Sequence, residues 1–95
     1  MVNAQDNMVV RDFVIKNKFG LHARAASLFV QLANRFSCDI FVLKNGQEVN
    51  GKSIMGILIL AAAQGAVITV KASGPDAQSA VDSIGGLIED RFGEE

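Results

Sequence analysis

The sequence is poor in the residue types on which many binding and catalytic sites depend. Its 95 residues contain no Trp and no Tyr, and only one Cys, one His and one Pro. With Phe as the only large aromatic type, the chain is poorly supplied with base-stacking platforms. The lone Cys38 excludes an intrachain disulfide, and together with the lone His22 it excludes the usual Cys and His zinc clusters. We therefore expect a cytoplasmic domain that holds neither a metal nor another cofactor.

An excess of one charge and a long apolar run are also missing. Nine Lys and Arg residues face ten Asp and Glu residues, which gives a net charge of -1 and argues against a nucleic-acid partner. The longest apolar run, residues 54–63, is about half the length of a membrane-spanning helix. The first segment lacks the basic start and apolar stretch of a signal peptide. We expect no membrane insertion.

Hydrophobic periodicity and turn residues predict seven elements in the order β, α, β, β, α, β, α. The predicted strands are residues 8–16, 39–44, 47–50 and 66–73, with a hairpin turn at Asn45-Gly46 between the second and third. The first helix is expected to begin near His22, and the second covers residues 54–63 and stops at Gln64-Gly65. This order indicates an α+β fold with one antiparallel sheet and helices layered on one face.

A third helix is expected after Gly74-Pro75-Asp76, with Pro75 in its first turn and the Asp76 carboxylate at its positive end. The pair Gly85-Gly86 lies inside this helix, and no sequence pattern explains it. At 49% hydrophobic residues the chain suffices for one domain, residues 1–95, with residues 1–7 loose at the N terminus.

The strongest candidate site is His22-Ala23-Arg24 at the start of the first helix. A neutral imidazole is nucleophilic, and the first turn of a helix offers unpaired backbone N–H groups with partial positive charge. Arg24 adds a full charge, so the three residues combine a nucleophile with an anion site suited to a phosphoryl group. The positive surroundings favour the neutral ring, and no second acid or base is expected near His22. The alternative is a surface histidine at a helix start beside a solvated arginine.

Residues 46–53, GQEVNGKS, match the phosphate-binding pattern G-x-x-x-x-G-K-[ST]. A phosphate-binding loop needs a continuous loop after a buried strand, but here Asn45-Gly46 is a turn signal and residues 47–50 are a predicted strand. Neither neighbouring strand ends in an Asp that would hold magnesium. We therefore reject nucleotide hydrolysis, which would predict ATP-dependent protection of Lys52.

Ser53 is expected to cap the second helix, and this role is compatible with phosphorylation because a phosphoserine suits a helix N terminus. The helix that follows is apolar on nearly every side, so some of Leu21, Ile54, Met55 and Leu58 should be exposed rather than packed in the core. An exposed apolar patch of this kind is typical of a partner-binding surface.

Three segments taken together, GLHARAA, NGKSIMGIL and AVITVKASGPDAQSAV, resemble HPr, the histidine-containing phosphocarrier family of the bacterial phosphotransferase system. The similarity runs from about Phe13 to Phe92 in order and without an obvious insertion. The version NKFGLHARAA is closer to proteobacterial members, including the nitrogen-branch paralogue NPr, than to sugar-system members of Gram-positive bacteria.

The resemblance implies an open-faced β-sandwich, with a four-stranded antiparallel sheet of order 1-4-2-3 and three helices on one side. It also implies that His22 accepts a phosphoryl group on Nδ1 from Enzyme I and passes it to a histidine of an enzyme IIA protein. Arg24 and the backbone N–H groups near Ala23 would stabilise the phosphate. The protein would be a stoichiometric carrier rather than an enzyme. The oligomeric state is open from the sequence, in which nothing demands more than a monomer.

Further residues take roles through the same resemblance. Ser53 falls on the position that HPr kinase/phosphorylase modifies in many bacteria. The family's docking surface maps onto Leu21, Ala23, Arg24, Ile54, Met55 and Leu58. A second hypothesis is therefore a regulatory binding module, switched by phosphorylation at Ser53 or His22, rather than a carrier for sugar transport.

Two positions depart from the family pattern. Ala25 replaces the proline of the usual H-x-R-P motif, which should slightly loosen the helix start. Phe19 is bulkier than the small polar residue common in that loop, so we expect it to affect partner preference more than chemistry.

Overall fold

The computed structural model describes residues 7–94, and these form a four-stranded sheet covered on one face by three helices. All strand pairs are antiparallel and the order is β1-β4-β2-β3, which confirms the expected topology. The strands are β1 (Met8–Val14), β2 (Asp39–Lys44), β3 (Gln47–Asn50) and β4 (Val67–Ser73). The expectation of a loose N terminus falls on residues 1–6, which lie outside the described range, and on Asn7, whose carbonyl accepts the Gly74 N–H at 3.3 Å.

The two faces of the sheet differ in exposure because side chains alternate along each strand. Phe13 of β1 stands opposite Ile68 of β4, and both are buried beneath the helices. Their neighbours in the same register, Val14 and Val67, are 45% and 52% exposed on the opposite face. The sheet therefore has one covered face and one open face, as in an open-faced sandwich.

The helices are α1 (Ala23–Ala33), α2 (Ile54–Leu60) and α3 (Ala77–Glu89). α3 lies over β1 and β4, α2 lies over β2 and β3, and α1 packs against both helices. The core side of α1 is made of small residues around one large one, Phe29, which is fully buried. The small residues let α1 lie close to its neighbours, and this fixes the position of its first turn.

The hairpin between β2 and β3 has Asn45 and Gly46 at φ 50° and 83°, the left-handed values of a tight hairpin turn. β3 begins at once, with Gln47 opposite Lys44. Half of the G-x-x-x-x-G-K-S segment, residues 47–50, is therefore strand, as predicted, whereas a phosphate-binding loop would be continuous between its two glycines.

The second helix is shorter than predicted. It ends at Leu60, and Ala61 adopts the left-handed conformation at φ 52°, three residues before the expected stop at Gln64-Gly65. The reason is a tertiary contact. The Ala62 carbonyl accepts the backbone N–H of Leu21 at 2.8 Å, so the chain at this residue is not helical. Sequence periodicity does not register a contact of this kind.

The start of the third helix also differs from the prediction. The helix begins at Ala77 with Asp76 as N-cap, so Pro75 precedes the first turn instead of lying in it. The Asp76 carboxylate makes no capping bond to its own helix and accepts the backbone N–H groups of Ser37 and Cys38, both at 2.9 Å. It therefore joins the start of α3 to the segment before β2.

Gly85 has a packing role that the sequence did not reveal. A Cβ atom at this position would lie 2.8 Å from Cε1 of the buried Phe13 ring. α3 can approach β1 at this point only because residue 85 lacks a side chain. At Gly86 a Cβ would meet nothing within 4 Å, and the structure gives no reason for that glycine.

Candidate functional site

The site is built on the loop that connects β1 to α1. Gly20 has φ 64°, and a Cβ atom there would lie 2.9 Å from Cα of Ala63. Leu21, 4% exposed, anchors the loop in the core. His22 follows as the N-cap of α1 in an extended conformation, and its carbonyl accepts the Ala26 N–H at 2.8 Å. The turn at Gly20 and the buried Leu21 side chain thus position the His22 imidazole at the N terminus of α1.

The His22 ring faces the first turn of α1 through Nδ1. The backbone N–H of Arg24 donates to this nitrogen at 3.3 Å. Because a backbone N–H only donates, Nδ1 carries a lone pair and no proton. The ring is 32% exposed, and Ala23 and Arg24 are exposed beside it. The predicted combination of a nucleophilic nitrogen, free first-turn N–H groups and an arginine is therefore present in one place.

The other ring nitrogen of His22 has a partner that the sequence analysis missed. Nε2 is hydrogen-bonded to the Glu94 carboxylate, and the other oxygen of that carboxylate accepts Nδ2–H of Asn17 at 3.2 Å. The expectation that no second acid or base lies near His22 is therefore wrong. The same Asn17 amide donates to the Gly20 carbonyl at 2.7 Å, so one buried side chain holds both the loop and the carboxylate.

Hydrogen bonding with His22 lowers the pKa of the Glu94 carboxyl below its usual value. The hydrogen bond from Asn17 and the nearby charge of Arg24 act in the same direction, while desolvation opposes them. Glu94 is therefore an ionised acceptor at neutral pH, and it faces the ring nitrogen opposite the nucleophilic one.

The chain reaches this position through an unusual turn after α3. Arg91, Phe92 and Gly93 all have positive φ, at 58°, 55° and 75°. Phe92 is 3% exposed and anchors the turn in the core. Since 72 positions separate Glu94 from His22, no local spacing pattern could have linked them. The sequence signal for this turn is weak: it consists of an aromatic residue, Phe92, within a polar segment.

Phe19, which departs from the family pattern, lies directly against the site. Its ring meets His22 edge to face, with centroids 6.1 Å apart, and it is 68% exposed. The Lys18 ammonium lies 5.6 Å from the centre of the same ring. Phe19 therefore borders the imidazole and presents a broad apolar surface to whatever approaches it.

Ser53 caps α2 as predicted, with its hydroxyl accepting the Gly56 N–H at 3.2 Å. The neighbouring Lys52 ammonium donates to the Phe36 carbonyl at 2.6 Å. Lys52 therefore holds the segment between α1 and β2.

The predicted apolar patch is exposed in three of its four large members. Met55, Ile54 and Leu58 are 66%, 41% and 37% exposed on α2. Leu21 is buried, because it anchors the His22 loop, and its side chain offers almost no surface to a partner. α2 packs against α1, so the patch lies on the helix next to the one that carries Ala23 and Arg24.

Within residues 7–94, no three His, Cys, Asp or Glu side chains are grouped as a metal site requires. The helices of this part of the chain are all too short or too polar to cross a bilayer.

The fold is an open-faced sandwich whose lone histidine caps a helix and has an unprotonated ring nitrogen, which is suited to accepting a phosphoryl group. The comparison with known families agrees: the family described as PTS HPr component phosphorylation site matches residues 9–90. The chain belongs to this HPr phosphocarrier family of the phosphotransferase system.

Relatives and solved structures support this membership. Phosphocarrier protein HPr of Cupriavidus necator is 47% identical over 87 residues, covering 92% of this chain and 98% of that protein. The crystal structure of HPr-C-His from Thermoanaerobacter tengcongensis has a TM-score of 0.89 at 49% identity, covering 92% of this chain and 98% of that one. Crh, the catabolite repression protein of Bacillus subtilis, was crystallised as a swapped dimer; it is 43% identical, with a TM-score of 0.71 over 83% of this chain and 91% of that one.

Proposed function

We propose that this protein carries a phosphoryl group on Nδ1 of His22, taking it from phosphorylated Enzyme I and passing it to a histidine of an enzyme IIA protein. The observation that carries the proposal is the hydrogen bond from the Arg24 backbone N–H to Nδ1. It supports Nδ1 as the acceptor, because a nitrogen that accepts a backbone N–H has a lone pair and this one lies at the positive end of α1.

The same contacts account for how the phosphoryl group is held. When the Nδ1 lone pair forms a bond to phosphorus, the Arg24 N–H is released and can donate to a phosphoryl oxygen. The Ala23 N–H and the Arg24 guanidinium supply further donors from the first turn. These few donors lie on an exposed surface and bind the group loosely enough for onward transfer. The protein therefore acts as a stoichiometric carrier rather than as an enzyme.

Labelling with Enzyme I and phosphoenolpyruvate tests the acceptor. We expect one acid-labile phosphate per wild-type chain and none in His22→Ala. Arg24→Ala should lower the labelling rate by at least about tenfold, since it removes a charge-assisted contact worth about 1.5–3 kcal/mol. Arg35→Ala is the matched control, an exposed arginine beyond the other end of α1, and should retain the wild-type rate. Persistence of the label in His22→Ala would contradict the proposal.

The apolar patch is the proposed docking surface for both partners, with Ala23 and Arg24 at its border. Met55→Ser removes the most exposed member of the patch and should raise the apparent KM for Enzyme I without changing the number of phosphates bound. Val10→Ser is the control, because Val10 is 53% exposed on the uncovered face of the sheet. An equal effect of the two substitutions would count against this surface. Leu21 contributes to this docking surface with its backbone only, since its side chain is buried.

A second candidate function is that of a regulatory binding module switched at Ser53. It is favoured by the position of Ser53, whose hydroxyl caps the helix that bears the patch, and by the similarity to Crh. Ser53→Asp should change binding to a regulatory partner, whereas Ser53→Asn, an uncharged cap of the same shape, should not. Incubation with HPr kinase/phosphorylase and ATP tests the modification directly; no label on Ser53 would remove its support.

We propose a single domain that works in the cytoplasm as a monomer, without a cofactor. Sedimentation across a concentration series distinguishes a monomer from a dimer of the kind that Crh forms.

A further inference from the structure

The two nitrogens of His22 have partners of opposite type. Nδ1 accepts a hydrogen bond from the Arg24 backbone N–H, which cannot act as an acceptor. Nε2 faces the Glu94 carboxylate, which is ionised and cannot donate. A neutral imidazole satisfies both partners in one tautomer only, with its proton on Nε2 and its lone pair on Nδ1.

We infer that Glu94 is a positioning residue for phosphoryl transfer: it holds the proton of His22 on Nε2 and stabilises the positive ring that forms when Nδ1 takes the phosphoryl group. This inference rests on the proposed function. The inference adds the Glu94 carboxylate to a phosphoryl-acceptor site that the sequence analysis restricts to residues 22–24.

The balance of the step shows why a carboxylate is useful at this position. The Nδ1 lone pair forms a bond to phosphorus, while the bond between phosphorus and the donor nitrogen breaks and its electron pair returns to the donor ring. The proton stays on Nε2, so the phosphorylated ring carries a positive charge that faces Glu94. An imidazolium opposite a carboxylate is stabilised in the same way in other histidine-dependent sites. The reverse step releases a neutral ring, so the contact serves onward transfer as well.

The Glu94 carboxylate is held in place by buried residues on both sides of it. The Glu94 side chain is only 18% exposed. Asn17, 1% exposed, donates to it at 3.2 Å and to the Gly20 carbonyl at 2.7 Å. Phe92, 3% exposed, fixes the turn that delivers it. The anchors on both sides are buried, so Glu94 keeps its orientation towards the ring.

The tautomer is measured without any partner protein. Nitrogen-15 NMR of the full chain at a pH where the ring is neutral gives two ring signals, because His22 is the only histidine. We expect a protonated Nε2 and an unprotonated Nδ1 in the wild type. Glu94→Gln replaces the carboxylate by an amide that can donate or accept, so the Nδ1–H fraction should rise at least about threefold.

Glu89→Gln is the matched control. Glu89 pairs with the Lys16 ammonium near the same loop, so its removal changes local charge but not the ring contact. It should leave both ring signals in place. The backbone amide spectra of both variants report whether the fold is retained.

The rate of transfer is measured with phosphoramidate, a small donor that requires no protein partner. Glu94→Gln should be phosphorylated about three- to tenfold more slowly than wild type, the size that a partly exposed charge-assisted hydrogen bond supports. Unchanged ring signals or an unchanged rate in Glu94→Gln would overturn the inference and leave the carrier proposal standing. Failure of Enzyme I to label wild-type His22 would instead reject the carrier proposal, while the ring signals would still test Glu94.

Discussion

The backbone N–H of Leu21 donates to the carbonyl of Ala62 at 2.8 Å, and this bond joins the His22 loop to the chain that leaves α2. His22 and the apolar patch on α2 therefore lie on two parts of the chain that are in direct contact. Gly20, packed tightly against residues 62–63, forms a second contact between the loop and this segment.

Gly20→Ala should destabilise the fold and the site together. Alanine is disfavoured at φ 64°, and its Cβ would lie 2.9 Å from Cα of Ala63, so we expect a loss of about 2–4 kcal/mol. Gly46→Ala is the matched control, with φ 83° and open space around it, and should lose only about 1–2 kcal/mol. Urea unfolding of the two variants measures the difference. Equal losses would show that the contact with residues 62–63 is unimportant.

The two glycines within α3 should respond in opposite directions. Gly86→Ala places a methyl group in open space and should stabilise the protein by about 0.5–1 kcal/mol through helix propensity. Gly85→Ala drives a methyl group to 2.8 Å from the buried Phe13 ring and should destabilise it by about 1–2 kcal/mol. Thermal unfolding of both variants under one condition decides the point, and a stabilised Gly85→Ala would contradict the packing account.

Ser53→Ala should cost about 1 kcal/mol, because the Gly56 N–H loses its acceptor at the start of α2. Ser53→Asp keeps an acceptor in place and should unfold within a few tenths of a kcal/mol of wild type. Denaturant unfolding measures both variants. If Ser53→Asp were as unstable as Ser53→Ala, binding changes in that variant would report unfolding and not a switch.

Asp76 predicts a specific dependence of stability on pH. Hydrogen bonding from the Ser37 backbone N–H lowers its pKa in the folded protein, and hydrogen bonding with Cys38 adds to this against opposing desolvation. The stabilisation is complete above the unfolded pKa of about 4 and is lost as the pH falls through the lower folded pKa. Asp76→Asn should therefore be less stable than wild type at pH 7, and the gap should narrow below about pH 4. A difference in the free energy of unfolding between wild type and Asp76→Asn that stays constant from pH 7 to pH 2.5 would contradict this.

Local signals predicted much of the fold. Asn45-Gly46 marked the hairpin, and both β2 and β3 begin and end at the predicted residues. Ser53 was recognised as a cap because capping depends on a hydroxyl and a neighbouring N–H only. The strand order came from the family resemblance and is confirmed.

The first strand, predicted to end at residue 16, ends at Val14, and the fourth begins one residue later than predicted, at Val67. Three other differences share one physical cause, which is contact between residues far apart in sequence. α2 ends early because Ala62 is needed by the His22 loop. The Asp76 carboxylate binds the backbone N–H groups of Ser37 and Cys38 instead of capping its own helix. Glu94 was missed because a turn anchored by Phe92 brings it across the molecule. None of these contacts produces periodicity or a motif.

The central claim, that Nδ1 of His22 carries the phosphoryl group, is tested most directly by nitrogen-15 and phosphorus-31 NMR of the phosphorylated full chain. A single histidine gives two ring nitrogens to distinguish. The account predicts one phosphorus nucleus coupled to Nδ1, with Nε2 retaining its proton beside Glu94. Phosphorus coupled to Nε2, or found on any residue other than His22, would contradict it.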